Sequence, residues 1–334
     1  MNQIVSILIP FKNTSQFLVE CLTSVIAQTY QHWEVVAVDD HSSDNSVAIV
    51  QGFADKDPRI KLLSNNGKGI IMALRTGYAA ASGRFITRMD SDDIMTSEKI
   101  SFMVSALIIS GPGYISLGKV RYFSDRGISN GYKRYESWLN NLTHTASNFE
   151  ERYKECVIPS PSWMVHKTDL DACGAFDHDR YPEDYDLAFR MFEAHLRCLP
   201  CEEVVHLWRD YDTRTSRTSL HYAQNYFLDL KIYYFLKLDW NPKRPLVVWG
   251  AGNKGKTVAN LLRQNNIPFL WVCDNPNKIG KEIYGTVLYS YTMIEKIKKP
   301  QSILTVANTK AQAQIRQYLE EKDQKAMSDF YFFC

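Results

Sequence analysis

Short apolar runs alternate with longer one-sided apolar patterns from the start of the chain through Asp93. "VSILIPF" (5–11) is almost continuously apolar and predicts a buried strand. Over 15–29, Phe17, Leu18, Cys21, Leu22, Val25 and Ile26 fall on one face of a helix. "WEVVAVDD" predicts a second strand, and "DNSVAIVQGFA" a helix opened by Asp44 as N-cap. "IKLLS", "NGKGIIMALRTGYAAA" and "RFITRMD" continue the alternation as strand, helix and strand. Continuous apolar strands separated by helices predict an α/β fold whose mostly parallel sheet is covered on both faces. Further on, the pattern predicts helices over 97–110, 183–195 and 217–238, with strands in "YISLGKVRYFS". "DWNPKRP" (239–245) reads as a linker, and "PLVVWGAGNKGKTVANLL" as the start of a new strand–turn–helix unit.

Composition narrows the picture. The 334 residues are 45% hydrophobic and 23% charged, an ordinary globular balance with room for about two domains. A net charge of +2 gives no electrostatic case for nucleic acid. Residues 246–334 carry 12 Lys and Arg against 7 Asp and Glu, so this tail is mildly basic. No apolar run is long enough to span a bilayer, and the N-terminus lacks the basic start and cleavage site of a signal peptide. Seven cysteines, an odd number in a large chain, suit reduced thiols and a cytoplasmic setting. Cys198 and Cys201 form a lone CxxC. With no second Cys/His pair at metal spacing, it reads as structural rather than as a redox motif or half a zinc site.

Two acidic clusters sit at predicted strand ends, Asp39-Asp40 and Asp90-Ser91-Asp92-Asp93. In a parallel sheet both face the rim where ligands bind. Carboxylates packed this closely repel one another, and a hard divalent cation with a diphosphate would relieve them. The competing explanation is a helix start, with Asp92, Asp93 or Thr96 capping the helix over 97–110. Likewise Glu183 and Asp184 open a predicted helix, where its dipole favours negative charge.

Several motifs in order carry a specific resemblance. "VSILIPFKNTSQFLVECLTSVIAQTYQHWEVVAVDDHSSDNS", then "NGKGIIMALRTGYAAASGRFITRMDSDD", then "GAFDHDRYPEDYDLAFRM" resemble family-2 glycosyltransferases with the GT-A fold, over about residues 3–215. The resemblance implies that Pro10 and Phe11 line a base pocket and that Asp39 and Asp40 hold uracil or ribose. It implies that Asp90 and Asp92 are the D-x-D acids at the ribose-diphosphate and Mg²⁺ or Mn²⁺, with Asp93 in a more structural role. Arg75 would line the donor site, and Lys68 would either reach a phosphate or stay solvated. Asp184 would be the base of an inverting transfer, Glu183 would orient the acceptor, and Asp186 would be structural. A closing segment is expected near "HLWRDYDTRTSRTS" (206–219), where Tyr211 stands near the family's usual histidine. Arg214 or Arg217 would then meet the diphosphate. His206 reads as a strand residue.

The tail holds G-x-G-x-x-G at Gly250, Gly252 and Gly255, with Asp274 ending the next strand. In this context the glycines would let backbone approach a pyrophosphate. The tail also resembles the small Rossmann-like modules attached to some sugar acyltransferases and methyltransferases, which implies an accessory domain. The expected layout is a transferase over 1–238, a linker over 239–245 and an accessory domain over 246–334. The aromatic run 225–238 would pack the tail onto the transferase, or lie on a membrane near a lipid-linked acceptor.

The expected activity is transfer of a sugar from a nucleotide-sugar donor, UDP favoured, to a glycan or lipid-linked acceptor in surface polysaccharide synthesis. It would take place in the cytoplasm or at the inner face of its membrane, with peripheral membrane association as an option. The rivals are a sugar nucleotidyltransferase, though "PFKNTSQF" is not its Gly/Arg-rich loop, a non-catalytic nucleotide-sugar sensor, and an NAD(P)-dependent oxidoreductase run by the tail.

Overall fold

A computed structural model describes residues 3–214, 217 and 227–334. The chain forms two compact units, one of residues 1–149 and 156–214, the other of 150–155 and 215–334.

The first unit is built on β1 (Val5–Phe11), β2 (Trp33–Asp39), β3 (Ile60–Ser64) and β4 (Phe85–Arg88), all parallel. Between them run α1 (Ser15–Ile26), α2 (Ser46–Ala54) and α3 (Ile70–Ala79). After β5 (Ile94–Met95) come α4 (Lys99–Ser110), β6 (Tyr114–Phe123), α5 (Asn130–His144), β7 (Trp163–His166) and α6 (Lys167–Ala172). The unit ends with α7 (Glu183–Glu193) and β8 (Arg197–Arg209). The sheet order is β3-β2-β1-β4-β7-β6-β8-β5. β7 is antiparallel to both β4 and β6, so the sheet is mixed.

Period-two alternation in β1 divides the core. Val5, Ile7, Ile9 and Phe11 meet Leu18, Cys21, Leu22 and Val25 of α1 on one face. Leu8 joins Val36, Ala73 and Leu74 on the other, with Leu187, Ala188 and Met191 of α7 in the same layer. Asp44 lies just outside α2, whose N-cap is Asn45. Its carboxylate accepts the backbone N–H of both Ser46 and Ser15, at 3.0 Å each, and so serves the starts of two helices.

In the second unit, β9 (Leu246–Trp249), β10 (Leu270–Cys273), β12 (Thr286–Ser290), β13 (Gln301–Leu304) and β14 (Phe330–Phe332) lie parallel, with short β11 (Glu282–Ile283) antiparallel at one edge. The order β11-β12-β10-β9-β13-β14 is a doubly wound, Rossmann-like arrangement.

The boundary of this unit differs from the one expected at 238/239. Helix Phe227–Leu238 belongs to it, because Phe235 packs edge-on against Tyr331 and Phe333. Tyr153, from the 150–155 segment, stacks on Phe333 with ring centroids 5.0 Å apart and donates its hydroxyl to Asp239. Arg152 grips both oxygens of the same Asp239 at 2.7 Å. On this helix, expected to pack the tail onto the transferase or to lie on a membrane, Phe227, Leu228, Leu230, Ile232, Tyr234 and Phe235 are buried. Residues 218–226 of the helix expected over 217–238 lie outside the described residues. Among the described residues no helix is long and apolar enough to cross a membrane.

Candidate active site

Parallel register brings the two acidic clusters to one rim. Phe11 pairs with Asp39 across β1 and β2, and Leu8 pairs with Arg88 across β1 and β4. β1 lies where the strand order turns back, the usual place for a ligand cleft. Asp40 is buried and accepts hydrogen bonds from Asn65 Nδ2 at 2.7 Å and the Gly69 N–H at 2.8 Å, with Lys12 at 3.4 Å. Burial works against its charge, but these donors outweigh it and hold the carboxyl below the usual range. Asp39 Oδ1 takes the N–H of Ser42, which closes the turn after β2.

The acids of "RMDSDD" do not cap a helix. α4 begins at Lys99 with Glu98 as N-cap, and no side chain caps it. Asp93 is fully buried and meets His206 Nε2 at 2.9 Å and the Arg209 N–H at 2.8 Å. The antiparallel pairing of Met95 with His206 brings these groups together, with His206 on β8 as a strand residue. Asp92 accepts from the Tyr211 hydroxyl at 2.8 Å. Asp90 pairs with Arg88 at 3.0 Å, and the other arm of Arg88 reaches Glu183 at 2.8 Å.

Glu183 and Asp184 open α7, which shares a hydrophobic core with α3. Asp184 Oδ2 accepts from the Ser160 hydroxyl at 2.8 Å, and its other oxygen takes the Tyr185 N–H. Asp186 lies on another face of α7, buried and paired to Arg190 at 2.8 Å. Asp90, Glu183 and Asp184 are therefore gathered around one guanidinium.

Burial raises the acids of the cluster, and the nearby arginines offset this only in part. Burial, then the charges of Asp93 and Asp90, push the Asp92 carboxyl up to about 7. Burial pushes Asp93 up to about 8 against the pull of Arg214 and Arg209. Burial also lifts Glu183, opposed by Arg88. Lys99, fully buried and bonded to the Pro161 carbonyl, is pushed down to about 7 by burial, although Asp90 and Asp93 favour its charge.

Among the described residues no three His, Cys, Asp or Glu converge on one metal position. One or two carboxylates at a deficit of positive charge suit a hard cation whose other ligands are phosphate oxygens and water. The residues present fit such a group.

Other expected residues lie elsewhere or contribute differently. Pro10 and Phe11 end β1 and are buried. Arg75 donates to the carbonyls of Phe176 and Asp177 and to Asp179, so it anchors the loop leading into α7. Lys68 is exposed. Arg217 is exposed and belongs to the second unit. Arg214 lies over the rings of Trp208 and Tyr122, held charged by Asp93, Tyr122, Asp92 and Asp90 against the cost of burial. Cys198 and Cys201 are free thiols on β8, and burial pushes Cys198 up to about 12. Sequence reasoning missed Arg88, Lys99, Ser160 and Arg209 as partners of the acids. The available signal was Arg88 itself, a charged residue ending an apolar strand.

In the second unit the three glycines have separate roles. Gly250 has φ +121°. A Cβ on Gly255 would stand 2.1 Å from the Gly250 carbonyl oxygen, and one on Gly252 would meet nothing. The first thus serves the turn, the third lets helix Asn253–Gln264 close on the strand, and the second leaves open space. Asp274 is exposed just beyond β10.

Residues 6–174, half of the chain, match the model of glycosyl transferase family 2. The chain belongs to that family. Similar curated proteins include glycosyltransferase GlyG of Streptococcus pneumoniae, 40% identical over 101 residues, which are 30% of this chain and 34% of GlyG. Another is the Escherichia coli enzyme WfgD, a UDP-Glc:alpha-D-GlcNAc-diphosphoundecaprenol beta-1,3-glucosyltransferase. It is 42% identical over 106 residues, 31% of this chain and 41% of WfgD. The chain thus spans well under half the length of these relatives. Among solved structures, Staphylococcus aureus TarS 1-349 in complex with UDP-GlcNAc matches with TM-score 0.53 at 17% identity, over 78% of this chain and 72% of that one. Mannosyltransferase PcManGT of Pyrobaculum calidifontis, in complex with GDP-Man and Mn²⁺, matches with TM-score 0.53 at 17% identity, over 78% of this chain and 69% of that one. These likenesses support the GT-A fold for the family-2 unit, to which a second sheet unit is joined.

Proposed function

We propose that the chain is an inverting, metal-dependent glycosyltransferase that moves a sugar from a nucleotide diphosphate, UDP favoured, to a glycan or lipid-linked acceptor of a surface polysaccharide. The observation that carries this reading is the gathering of Asp90, Glu183 and Asp184 about Arg88, beside Asp92, whose carboxyl stays raised despite Arg214 and Tyr211. Family membership supports the reaction class. The donor and diphospho-lipid acceptor in WfgD's name support the choice of substrates.

In this reading Pro10, Phe11, Asp39 and Asp40 hold the base and ribose. Arg75 acts through the loop that it anchors. Asp90 and Asp92 would hold Mg²⁺ or Mn²⁺, which when bound would supply charge neutralisation for the departing diphosphate. Asp184 takes the proton of the acceptor hydroxyl while that oxygen bonds to the anomeric carbon. The bond from that carbon to the diphosphate breaks, and the nucleoside diphosphate leaves with the electron pair. Ser160 fixes one oxygen of Asp184, which leaves the carboxylate oriented for this step.

The test is nucleoside diphosphate release from UDP-sugars in the presence of glycan and lipid-linked acceptors, wild type against Asp184→Asn. Acceptor-stimulated release with inverted anomeric configuration, lost in the variant, supports the reading. Retained configuration, or release indifferent to Asp184, contradicts it.

A further inference from the structure

Arg88 is the last residue of β4, and its backbone is fixed by pairing to Leu8 of β1. Its side chain is 9% exposed, and that of Glu183 11%. Nε and Nη2 face Asp90 Oδ1 at 3.1 and 3.0 Å, while Nη1 faces Glu183 Oε1 at 2.8 Å. The two carboxylates belong to separate elements, Asp90 to the loop after β4 and Glu183 to the first residue of α7, 95 positions after Arg88. Burial works against the Arg88 charge, but Asp90, Glu183 and Asp184 outweigh it and keep the guanidinium protonated. A planar fork serves the two partners from separate nitrogens at fixed geometry, whereas an ammonium holds its three donors on one nitrogen at the end of a flexible stem.

We infer that Arg88 is a positioning residue that couples the donor side of the site to its acceptor side. Its charge is shared between Asp90 and Glu183, so whatever draws on Asp90 strengthens the hold on Glu183. With a cation and diphosphate bound at Asp90, that carboxylate would loosen its hold on Arg88. The guanidinium then bears fully on Glu183 and fixes the start of α7, where Asp184 stands next in the chain. In this way an occupied donor site tightens the base before the acceptor reacts. The inference rests on the reading that Asp90 faces the donor's metal.

The experiment is a double-mutant cycle on the full chain. Mn²⁺ affinity is measured by calorimetry in the presence of UDP, GDP or dTDP, for wild type, Glu183→Gln, Arg88→Lys and the double variant. Thermal midpoints of all four check folding, and Arg88→Met serves if Arg88→Lys does not fold. With Glu183 neutralised, Arg88 has only Asp90 to pair with and competes better against the cation. Glu183→Gln should therefore weaken Mn²⁺ binding about 3- to 10-fold, as expected for a coupling of roughly 1 kcal/mol. In the Arg88→Lys background the same substitution should change affinity less than about 1.5-fold, since the shared fork is gone. Equal effects in both backgrounds, or no effect of Glu183→Gln in either, overturn the coupling while leaving the proposed function standing. If wild type binds no nucleoside diphosphate with Mn²⁺, the coupling and the functional reading fall together.

Discussion

The Tyr211 hydroxyl donates to Asp92 Oδ2 at 2.8 Å, placing a neutral donor on an acid that the D-x-D pattern assigns to a metal. Phe17 packs on the Tyr211 ring at 4.7 Å and keeps it there. The contact satisfies one oxygen of a half-buried carboxylate, yet Asp92 remains raised to about 7. Tyr211 stands in the segment expected to close over the diphosphate, and it rests on an acid proposed to hold the metal.

Removing that hydroxyl should favour the cation. Tyr211→Phe should tighten Mn²⁺ binding in the presence of UDP by a few-fold, and cost about 1 kcal/mol of metal-free stability. Calorimetry and urea unfolding check the two halves. Weaker Mn²⁺ binding would instead make Tyr211 a ligand-side contact.

The acids should also shape stability against pH. Burial pushes the folded carboxyls of Asp92 and Asp93 up to about 7 and about 8, above an ordinary Asp near ~4 in the unfolded chain. Their contribution is fully present below the unfolded value and is lost as pH rises through the folded values. The metal-free midpoint temperature should therefore fall more steeply from pH 5 to pH 9 in wild type than in Asp92→Asn, which removes one of these groups. Parallel curves would show that Asp92 does not titrate in this window.

Asp184→Asn should lower transfer by about 10²- to 10⁴-fold with nucleoside diphosphate affinity unchanged, the range for loss of a general base. Ser160→Ala should give a smaller loss of about 10-fold, since a hydrogen bond to a charged group is worth roughly 1.5–3 kcal/mol and water can replace part of it. A loss of nucleotide affinity in Asp184→Asn would move this residue to the donor side.

In the second unit, Gly255→Ala should destabilise by about 2 kcal/mol or more, because its Cβ would overlap the Gly250 carbonyl. Gly252→Ala should fold normally, since its Cβ meets nothing. If the unit takes NADH, Gly252→Ala should weaken that binding. Equal, tight NADH binding by wild type and Gly252→Ala would mean that the dinucleotide does not sit at this turn.

Much of this was legible in the sequence because the signals were local. Continuous apolar runs marked the parallel strands, and the acids following them marked the rim. The Glu183-Asp184 pair at a helix start was visible for the same reason. The partners of Asp93 were not, since His206 and Arg209 lie 113 and 116 residues away and arrive through pairing with the two-residue strand β5, too short to carry a period. Segment 150–155 also escaped notice. Its stretch "EERYKE" has no linker signature, and its place in the second unit depends on Tyr153 meeting Phe333. Arg75 was legible as a residue of the third helix, but the carbonyls that it holds belong to a loop about a hundred positions later.

The most direct measurement is calorimetry of the full chain with UDP, GDP and dTDP, each with Mn²⁺ and with EDTA, in wild type and Asp92→Ala. Binding of one nucleoside diphosphate that needs Mn²⁺ and disappears in Asp92→Ala is the predicted result. Binding that ignores both Mn²⁺ and Asp92, or no binding at all, would contradict a metal and diphosphate at the acidic rim.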